Sequence, residues 1–119
     1  MNLRLKTAIG IENLPEAKEV RIDVFVNEQG FTTEFDDIDH IAYHIVFLEN
    51  DKPICTGRCY QDKENKNNYH IGRVAVIKSH RNKHLGSLIM KTLEDYVQRV
   101  GGKSVQLSAQ VTAIQFIII

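Results

Sequence analysis

The sequence predicts a single α/β (α+β) domain spanning residues 1–119, in which helices cover the faces of a mixed β-sheet. The length suits one domain with a modest core. The composition, 43% apolar and 25% charged, is typical of a folded globular protein. Alternating or β-branched segments predict strands, and two segments with apolar residues at helical spacing predict helices. The predicted order is β-α-β-β-β-α-β.

The first half of the chain predicts a strand, a helix and a loop. Apolar and polar residues alternate over residues 3–8, which predicts the first strand. Pro15 suits the first turn of a helix, and the apolar spacing extends this helix over residues 17–29. Gly30 is the expected stop, and residues 31–37 are expected to form an acidic loop.

The second half predicts a hairpin followed by a strand–helix–strand unit. Strands over residues 40–49 and 54–61 are joined by turn residues. A central strand is predicted over residues 69–77, a helix over residues 83–100 and a last strand over residues 104–109. Because a helix connects the last two strands, they should be parallel neighbours.

The cysteines and two of the histidines do not predict a metal site. Cys55 and Cys59 lie four residues apart in a predicted strand, which separates them by about 13 Å. This distance excludes a disulfide between them and shared coordination of a metal, so we expect reduced, buried thiols. The same objection applies to His40 and His44, which are also predicted to lie in a strand.

The charges balance overall but are segregated along the chain. Fifteen basic residues offset fifteen acidic ones, which weakens any case for nucleic-acid binding through net charge. Residues 22–51 contain eight acids and no Lys or Arg, whereas residues 52–91 contain nine basic residues and two acids. Two interpretations are open: the segments pair with each other, or they form a site that receives an anion from one side and a cation from the other.

The sequence shows no signal for membrane insertion or secretion. Charged residues at the amino terminus occupy the place of a signal peptide's apolar region. No apolar run approaches the roughly 18 to 20 residues of a membrane span. We therefore expect a cytoplasmic protein that partners neither a membrane nor a nucleic acid.

Residues 72–86 combine a predicted strand, a basic turn and a helix start. A helix amino terminus offers unpaired amides and partial positive charge, so it favours phosphate. Arg81 and Lys83 add positive charge, and Gly86 permits a close approach. The alternative is a solvated basic helix start with Gly86 packed on the sheet.

Three motifs, in order along the chain, resemble the GNAT family of N-acetyltransferases. The segment Arg81-Asn-Lys-His-Leu-Gly86 resembles the acetyl-coenzyme-A loop of that family. Upstream, Arg21-Ile-Asp-Val-Phe-Val-Asn-Glu-Gln29 resembles the Arg-x-x-Val-Phe-Val-x-Glu-Gln signature of its ElaA-like branch. Downstream, Leu107-Ser-Ala-Gln110 and Ala113-Ile-Gln-Phe116 resemble that branch's final strand and last helix start. The resemblance implies the acyl-CoA N-acyltransferase type of sheet.

The resemblance implies acetyl-coenzyme A as cosubstrate and a small amine as acceptor, with no metal. Backbone groups of Val74, Ala75 and Val76 would pair with the pantetheine arm. The pyrophosphate would meet the turn and helix start formed by Arg81, Asn82, Lys83, His84, Leu85 and Gly86. Two parallel strands, ending near Val76 and Ala109, would splay apart to admit the thioester.

The acceptor amine would enter from the opposite side, near Gln29, Asp37 and Asp39. Glu28 and His70 are the candidate general bases, with Asp39 as a further one, and a backbone N–H would stabilise the oxyanion. For each side chain a purely structural role is the alternative: local capping by Glu28, a solvent-facing His70 and a strand start at Asp39.

The chain departs from the family pattern at two places. His84 stands where the loop pattern has its first glycine, and Ile117 stands where the family has the tyrosine that protonates the departing thiolate. The sequence lacks the family's closing C-terminal strands, so we expect an incomplete domain with reduced activity. Residues 111–119 are apolar and β-prone, which predicts a sticky surface and a homodimer through this tail. The alternatives are a catalytically silent coenzyme-A-binding domain and a self-associating interaction module.

Overall fold

The structure, a computed structural model, describes residues 2–32 and 34–108. In these residues the strands are β1 (Leu3–Ile9), β2 (Tyr43–Glu49), β3 (Lys52–Gln61), β4 (Asn68–Val76) and β5 (Ser104–Ser108). Helix α1 (Pro15–Arg21) continues directly into a π-helical segment (Ile22–Glu28), and α2 (Leu85–Arg99) connects β4 to β5. Short 3₁₀ turns lie at Ile11–Asn13, Asp37–His40 and Lys78–His80.

The strands form one mixed sheet in the order β1-β2-β3-β4-β5. Neighbours from β1 to β4 are antiparallel, and β4 and β5 are parallel. The predicted α/β class, element order and parallel last pair are therefore confirmed. The parallel pair follows from the crossover through α2, because a helical connection returns the chain in the same direction.

Both faces of the central strands are covered. Residues 44–48 of β2 and 54–59 of β3 are buried without interruption, so side chains on either face of the sheet are shielded. Both α1 and α2 pack on β3. On the α2 face, a Cβ at Gly57 would lie 2.5 Å from Ile89 Cγ2, so only glycine lets the helix approach this closely.

The prediction of a strand from residue 40 is wrong at its start. Residues Asp37–His40 form a 3₁₀ turn, and β2 begins at Tyr43. A reciprocal capping box stabilises this turn: the Asp36 carboxylate accepts from the Asp39 amide, and the Asp39 carboxylate accepts from the Asp36 amide. His40 therefore lies in the turn and His44 in β2.

The hairpin between β2 and β3 is confirmed, and its turn explains why the loop is short. Asn50 and Asp51 have φ values of 50° and 67°. A two-residue hairpin turn with both φ values positive matches the twist of its strands, and Asn and Asp tolerate this backbone better than most residues.

Cys55 and Cys59 are free and buried, as predicted. Burial raises the pKa of each thiol to about 12. Thiols with such a pKa stay protonated near neutral pH and are weak nucleophiles. Within the described part of the chain, no group of three or more side chains is arranged to hold a metal ion. There is likewise no helix among these residues that is long and apolar enough to cross a membrane.

Candidate active site

A β-bulge in β4 marks the centre of the candidate site. Gly72 pairs with Arg58 and Ala75 pairs with Thr56, so the single residue Gly57 of β3 faces two residues of β4. The first of these, Arg73, has a φ of 51°, in the left-handed region. A bulge of this kind bends its strand and breaks the pairing pattern.

The described pairing of β4 with β5 covers the first part of β4. It runs in parallel from Asn68, opposite Ser104, to Gly72, opposite Ser108, which is the last described residue of β5. Past the bulge, the Ile77 amide donates to the Ile54 carbonyl of β3 over 3.0 Å. Because peptide groups alternate along a strand, those of Ala75 also face β3, and those of Val74 and Val76 face away from β3.

This geometry narrows the predicted pantetheine contacts to Val74 and Val76. Their peptide groups present an edge to which an extended ligand can add as a strand would, although the Val76 carbonyl here accepts a bond from Arg81 Nε at 3.1 Å. The backbone of Ala75 is directed to β3 instead. Ala109, where the second parallel strand was predicted to end, lies outside the described residues.

The turn after β4 presents free amides at the start of α2. The Leu88 amide donates to the His84 carbonyl over 3.1 Å. The three preceding amides, those of Leu85, Gly86 and Ser87, meet no acceptor in the described part of the chain. Unpaired amides at a helix amino terminus favour a phosphate group. The residues therefore fit the pyrophosphate that the sequence predicted here.

His84 occupies a position that favours glycine. Its φ of 62° is left-handed, and an L-residue pays about 1–2 kcal/mol in this conformation. Replacing His84 by Gly should therefore raise the free energy of unfolding by about 0.5–1 kcal/mol, after the larger chain entropy that glycine loses on folding. Urea unfolding would measure the change. Lys83→Gly is the matched control: because Lys83 has no positive φ, this replacement should lower the free energy of unfolding. If both variants lowered it by the same amount, the left-handed backbone of His84 would not be the cause.

Arg81 and Glu28 form an ion pair that joins the two halves of the site. The guanidinium nitrogens Nη1 and Nη2 donate to the two carboxylate oxygens of Glu28 over 2.7 and 2.6 Å. The hydrogen bond from Arg81 lowers the pKa of Glu28. Sequence analysis assigned Arg81 to the coenzyme side and Glu28 to the acceptor side, and the structure brings them into contact.

A second set of charges, which we call the Arg–acid cluster, includes Asp39 from the predicted acceptor side. Its three arginines come from α1, β3 and β4, its three acids come from the acidic loop and the turn that follows it, and all six are buried or half-buried. The cluster consists of Arg21, Glu34, Asp36, Asp39, Arg58 and Arg73. Its three guanidinium groups balance its three carboxylates, which is the arrangement that buried charges require.

Asp39 lies at the centre of this cluster. Its Oδ1 accepts from Arg21 Nη1 at 2.6 Å and from Arg58 Nη1 at 2.7 Å, while Oδ2 accepts from Arg21 Nη2 at 3.0 Å. Burial raises the pKa of Asp39, but hydrogen bonds from Arg21 and the Asp36 amide, with the charges of Arg21 and Arg58, lower it further, to well below its usual range.

The expectation that Asp39 binds the acceptor, or acts as its base, is therefore corrected. Its side chain is 1% exposed and both oxygens are taken by arginines, so its role is structural. Asp37, by contrast, is exposed. The side-chain amide of Gln29 is buried, and neither its nitrogen nor its oxygen has a partner among the described residues, which keeps Gln29 as a candidate for acceptor binding.

His70 lies on β4 with a carboxylate beside it. Its Nε2 lies 2.6 Å from Asp62 Oδ1, and its ring stacks on Tyr60 at a centroid distance of 5.0 Å. The hydrogen bond with His70 lowers the pKa of Asp62, so this carboxylate is ionised near neutral pH. A carboxylate that orients an imidazole is a recurring support for a general base. Sequence analysis missed Asp62, because it lies in a polar loop eight residues before the histidine.

Part of the charge segregation of the sequence is internal pairing. Arg58 and Arg73, from the basic segment, bind acids of the acidic segment within the cluster. Arg81 and His80 from the basic segment bind Glu28 and Glu49 in the same way. The first of the two interpretations given above therefore accounts for these contacts. Ile117, the 111–119 tail and the motif beyond Ser108 lie outside the described residues.

A bulged strand with a parallel neighbour, beside free amides at the start of the connecting helix, is the arrangement of an acyl-coenzyme-A transferase fold. Solved structures agree. The acyl-CoA N-acyltransferase of Pseudomonas aeruginosa superposes with a TM-score of 0.79 at 22% identity, covering 94% of this chain and 82% of that one. Escherichia coli ElaA superposes with a TM-score of 0.77 at 26% identity, covering 97% and 83%.

Sequence comparison identifies the family. The profile of the Acetyltransferase (GNAT) family matches residues 12–117. The uncharacterized N-acetyltransferase YjcF of Bacillus subtilis (strain 168) is 36% identical over 108 residues, which covers 88% of this chain and 74% of the relative. The chain belongs to the GNAT acetyltransferase family, and the predicted membership is confirmed.

Proposed function

We propose that this protein transfers the acetyl group of acetyl-coenzyme A to a primary amine of a small molecule or peptide in the cytoplasm. The observation that carries the proposal is the combination of three amides at the start of α2 that have no partner among the described residues with the peptide groups of Val74 and Val76 that face away from β3. The first feature suits a diphosphate and the second suits an extended arm, and acetyl-coenzyme A contains both.

The reaction requires a neutral amine and a stabilised oxyanion. The bound thioester supplies an acetyl group whose carbonyl carbon the amine nitrogen attacks, so that a C–N bond forms, the C–S bond breaks and the sulfur leaves as a thiolate. One proton of the acceptor's ammonium group passes to a general base before the attack, and the second proton, which the nitrogen loses as the amide forms, passes to the departing thiolate. A backbone N–H at the bulge of β4 is our candidate donor to the developing oxyanion.

We assign the base to His70, oriented by Asp62. It lies on β4 two residues before Gly72, which the bulge follows. Glu28 is the less favourable candidate, because Arg81 binds both of its oxygens and lowers its pKa. A carboxylate with a lowered pKa takes up a proton less readily.

We place the acceptor beside the carboxyl-terminal end of the π-helical segment. A cavity of about 620 Å³ opens there, and phenylalanine and acidic side chains contribute to its wall. The residues that line it are Val26, Gly30, Phe31, Thr32, Glu34 and Phe35. Gln29 and Asp37 are the polar candidates for holding the amine near this cavity, as the sequence predicted.

Thermal unfolding with coenzyme A, followed by a thiol-release assay over a panel of amines, tests the proposal. We expect coenzyme A to raise Tm, because a ligand that binds only the folded state stabilises it. We also expect amine-dependent release of free thiol from acetyl-coenzyme A. A rise in Tm without thiol release for any amine would favour the silent coenzyme-A-binding domain, and no rise at millimolar coenzyme A would overturn the proposal.

A further inference from the structure

We propose that Arg73 is a positioning residue that fixes residues 34–36 of the acidic loop against the bulge of β4 and so sets the place of the acceptor amine. The inference rests on the proposed function, which it deepens. Arg73 links the coenzyme-side strand β4 to the acceptor-side loop through its side chain.

The backbone conformation of Arg73 is unfavourable for an arginine, so contacts made by its side chain must compensate for it. Its φ of 51° is left-handed, a conformation that costs an L-residue about 1–2 kcal/mol and that glycine adopts freely. Strain of this kind persists where surrounding contacts hold it in place. The contacts of the Arg73 side chain are the ones available to do so.

Those contacts reach both the side chain and the main chain of the acidic loop. Arg73 Nε lies 2.6 Å from Glu34 Oε1 and 3.2 Å from the Glu34 carbonyl oxygen, and Nη2 lies 3.0 Å from that same oxygen. Nη2 also lies 3.5 Å from Asp36 Oδ2. Because the guanidinium binds a carbonyl of the loop, it fixes the loop backbone and not only its charges.

The loop in turn shapes the proposed acceptor cavity. Glu34 and Phe35 both line it, so a displacement of the loop displaces two of its walls. Arg73 is the first residue of the β4 bulge and directly precedes Val74, whose peptide group faces away from β3. Its side chain therefore sets the distance between the cavity and the strand edge at which we place the thioester.

Loss of the Arg73 side chain should leave the other ion pairs of the Arg–acid cluster in place. Glu34 keeps Arg21, whose Nη2 lies 2.9 Å from Oε1 and 3.2 Å from the carbonyl oxygen. Asp36 keeps Arg58, which donates to both of its oxygens over 2.7 and 3.0 Å. What is lost is the link between the loop and β4.

The variant Arg73→Gly separates the side chain from the backbone strain, because glycine accepts the left-handed conformation. We expect a fall of about 10- to 100-fold in kcat/KM for the amine, since small misplacements of a reactant have effects of this order. The coenzyme A affinity from thermal shifts should change less than twofold. Hydrogen exchange over residues 34–42 should become at least fivefold faster. Arg73→Lys, which keeps the charge but not the planar fork, should recover only part of the activity.

Arg73→Ala is the control, since it removes the same side chain but disfavours the bulge. If the side chain positions the loop, Ala and Gly variants share the loss in amine kinetics. Wild-type amine kinetics in Arg73→Gly would overturn the inference, as would unchanged hydrogen exchange over residues 34–42. If wild-type protein releases no thiol with any amine, the proposed function fails, and the exchange measurement still decides whether Arg73 holds the loop.

Discussion

Replacing Asp39 by Ala should lower the free energy of unfolding by about 3–5 kcal/mol, the cost of removing one partner from a buried ion pair. Asp39 accepts hydrogen bonds from two guanidinium groups in a site where it is 1% exposed. Its loss leaves three arginines of the cluster facing two carboxylates. The uncompensated charge cannot reach water without moving the acidic loop.

Urea unfolding at pH 7 measures this effect, and Asp37→Ala is the matched control. Asp37 lies in the same 3₁₀ turn but is exposed, so its replacement should change the stability by less than about 0.5 kcal/mol. Asp39→Asn, which keeps the shape and loses the charge, should fall between the two. Equal and small losses in the Asp39 and Asp37 variants would refute the structural role of the cluster.

Acid should reduce the difference between wild type and Asp39→Ala. The pKa of Asp39 in the folded protein lies below its unfolded value. A carboxyl group of this kind stabilises the fold above its unfolded pKa, which is about 3.9, and loses that contribution as the pH falls towards the folded pKa. Unfolding measured at pH 3 should therefore show a smaller gap than at pH 7.

Replacing Arg81 by Glu should abolish the rise in Tm that coenzyme A produces. Arg81 supplies positive charge beside the free amides of α2, and its replacement would set a carboxylate against Glu28 and against the diphosphate. At a ligand concentration of about 100 times Kd, wild-type protein gains about 2.7 kcal/mol, and the variant should gain none. Thermal unfolding with and without coenzyme A gives both values.

Glu28→Gln distinguishes the loss of the cation from the loss of the ion pair. It weakens the same pair as Arg81→Glu but keeps the positive charge, so the rise in Tm with coenzyme A should persist. The Tm values without ligand show whether either variant is unstable on its own. A wild-type rise in Arg81→Glu would remove Arg81 from the coenzyme site, and a lost rise in Glu28→Gln would show that the pair itself orders the turn.

Part of the candidate site could be predicted from local sequence. The turn after β4 was predicted because a basic, glycine-containing segment joins a β-branched strand to an amphipathic helix. Those signals lie within about fifteen residues and depend on the backbone more than on distant partners. The sequence showed His84 in place of the glycine of the family pattern, and the structure adds that its φ is positive, which gives that departure a physical meaning.

The roles of the acidic residues could not be predicted in this way. Asp39 and Arg58 are 19 residues apart in sequence, Glu34 and Arg73 are 39 apart, and Glu28 and Arg81 are 53 apart. Charge alone does not tell an acid that faces a substrate from one that is buried against arginine. Burial decides between these roles, and burial depends on how α1, the acidic loop and β4 pack together.

The sequence by itself determined the α/β class, the order of its strands and helices, the parallel last pair and the GNAT resemblance, because apolar periodicity, turn residues and short motifs act locally. Only the tertiary structure decided that β4 bulges at Arg73, that Asp39 is buried and that Arg81 holds Glu28. A bulge arises from the register between two strands, and an ion pair arises from the approach of distant segments. Neither is encoded in any one stretch of the chain.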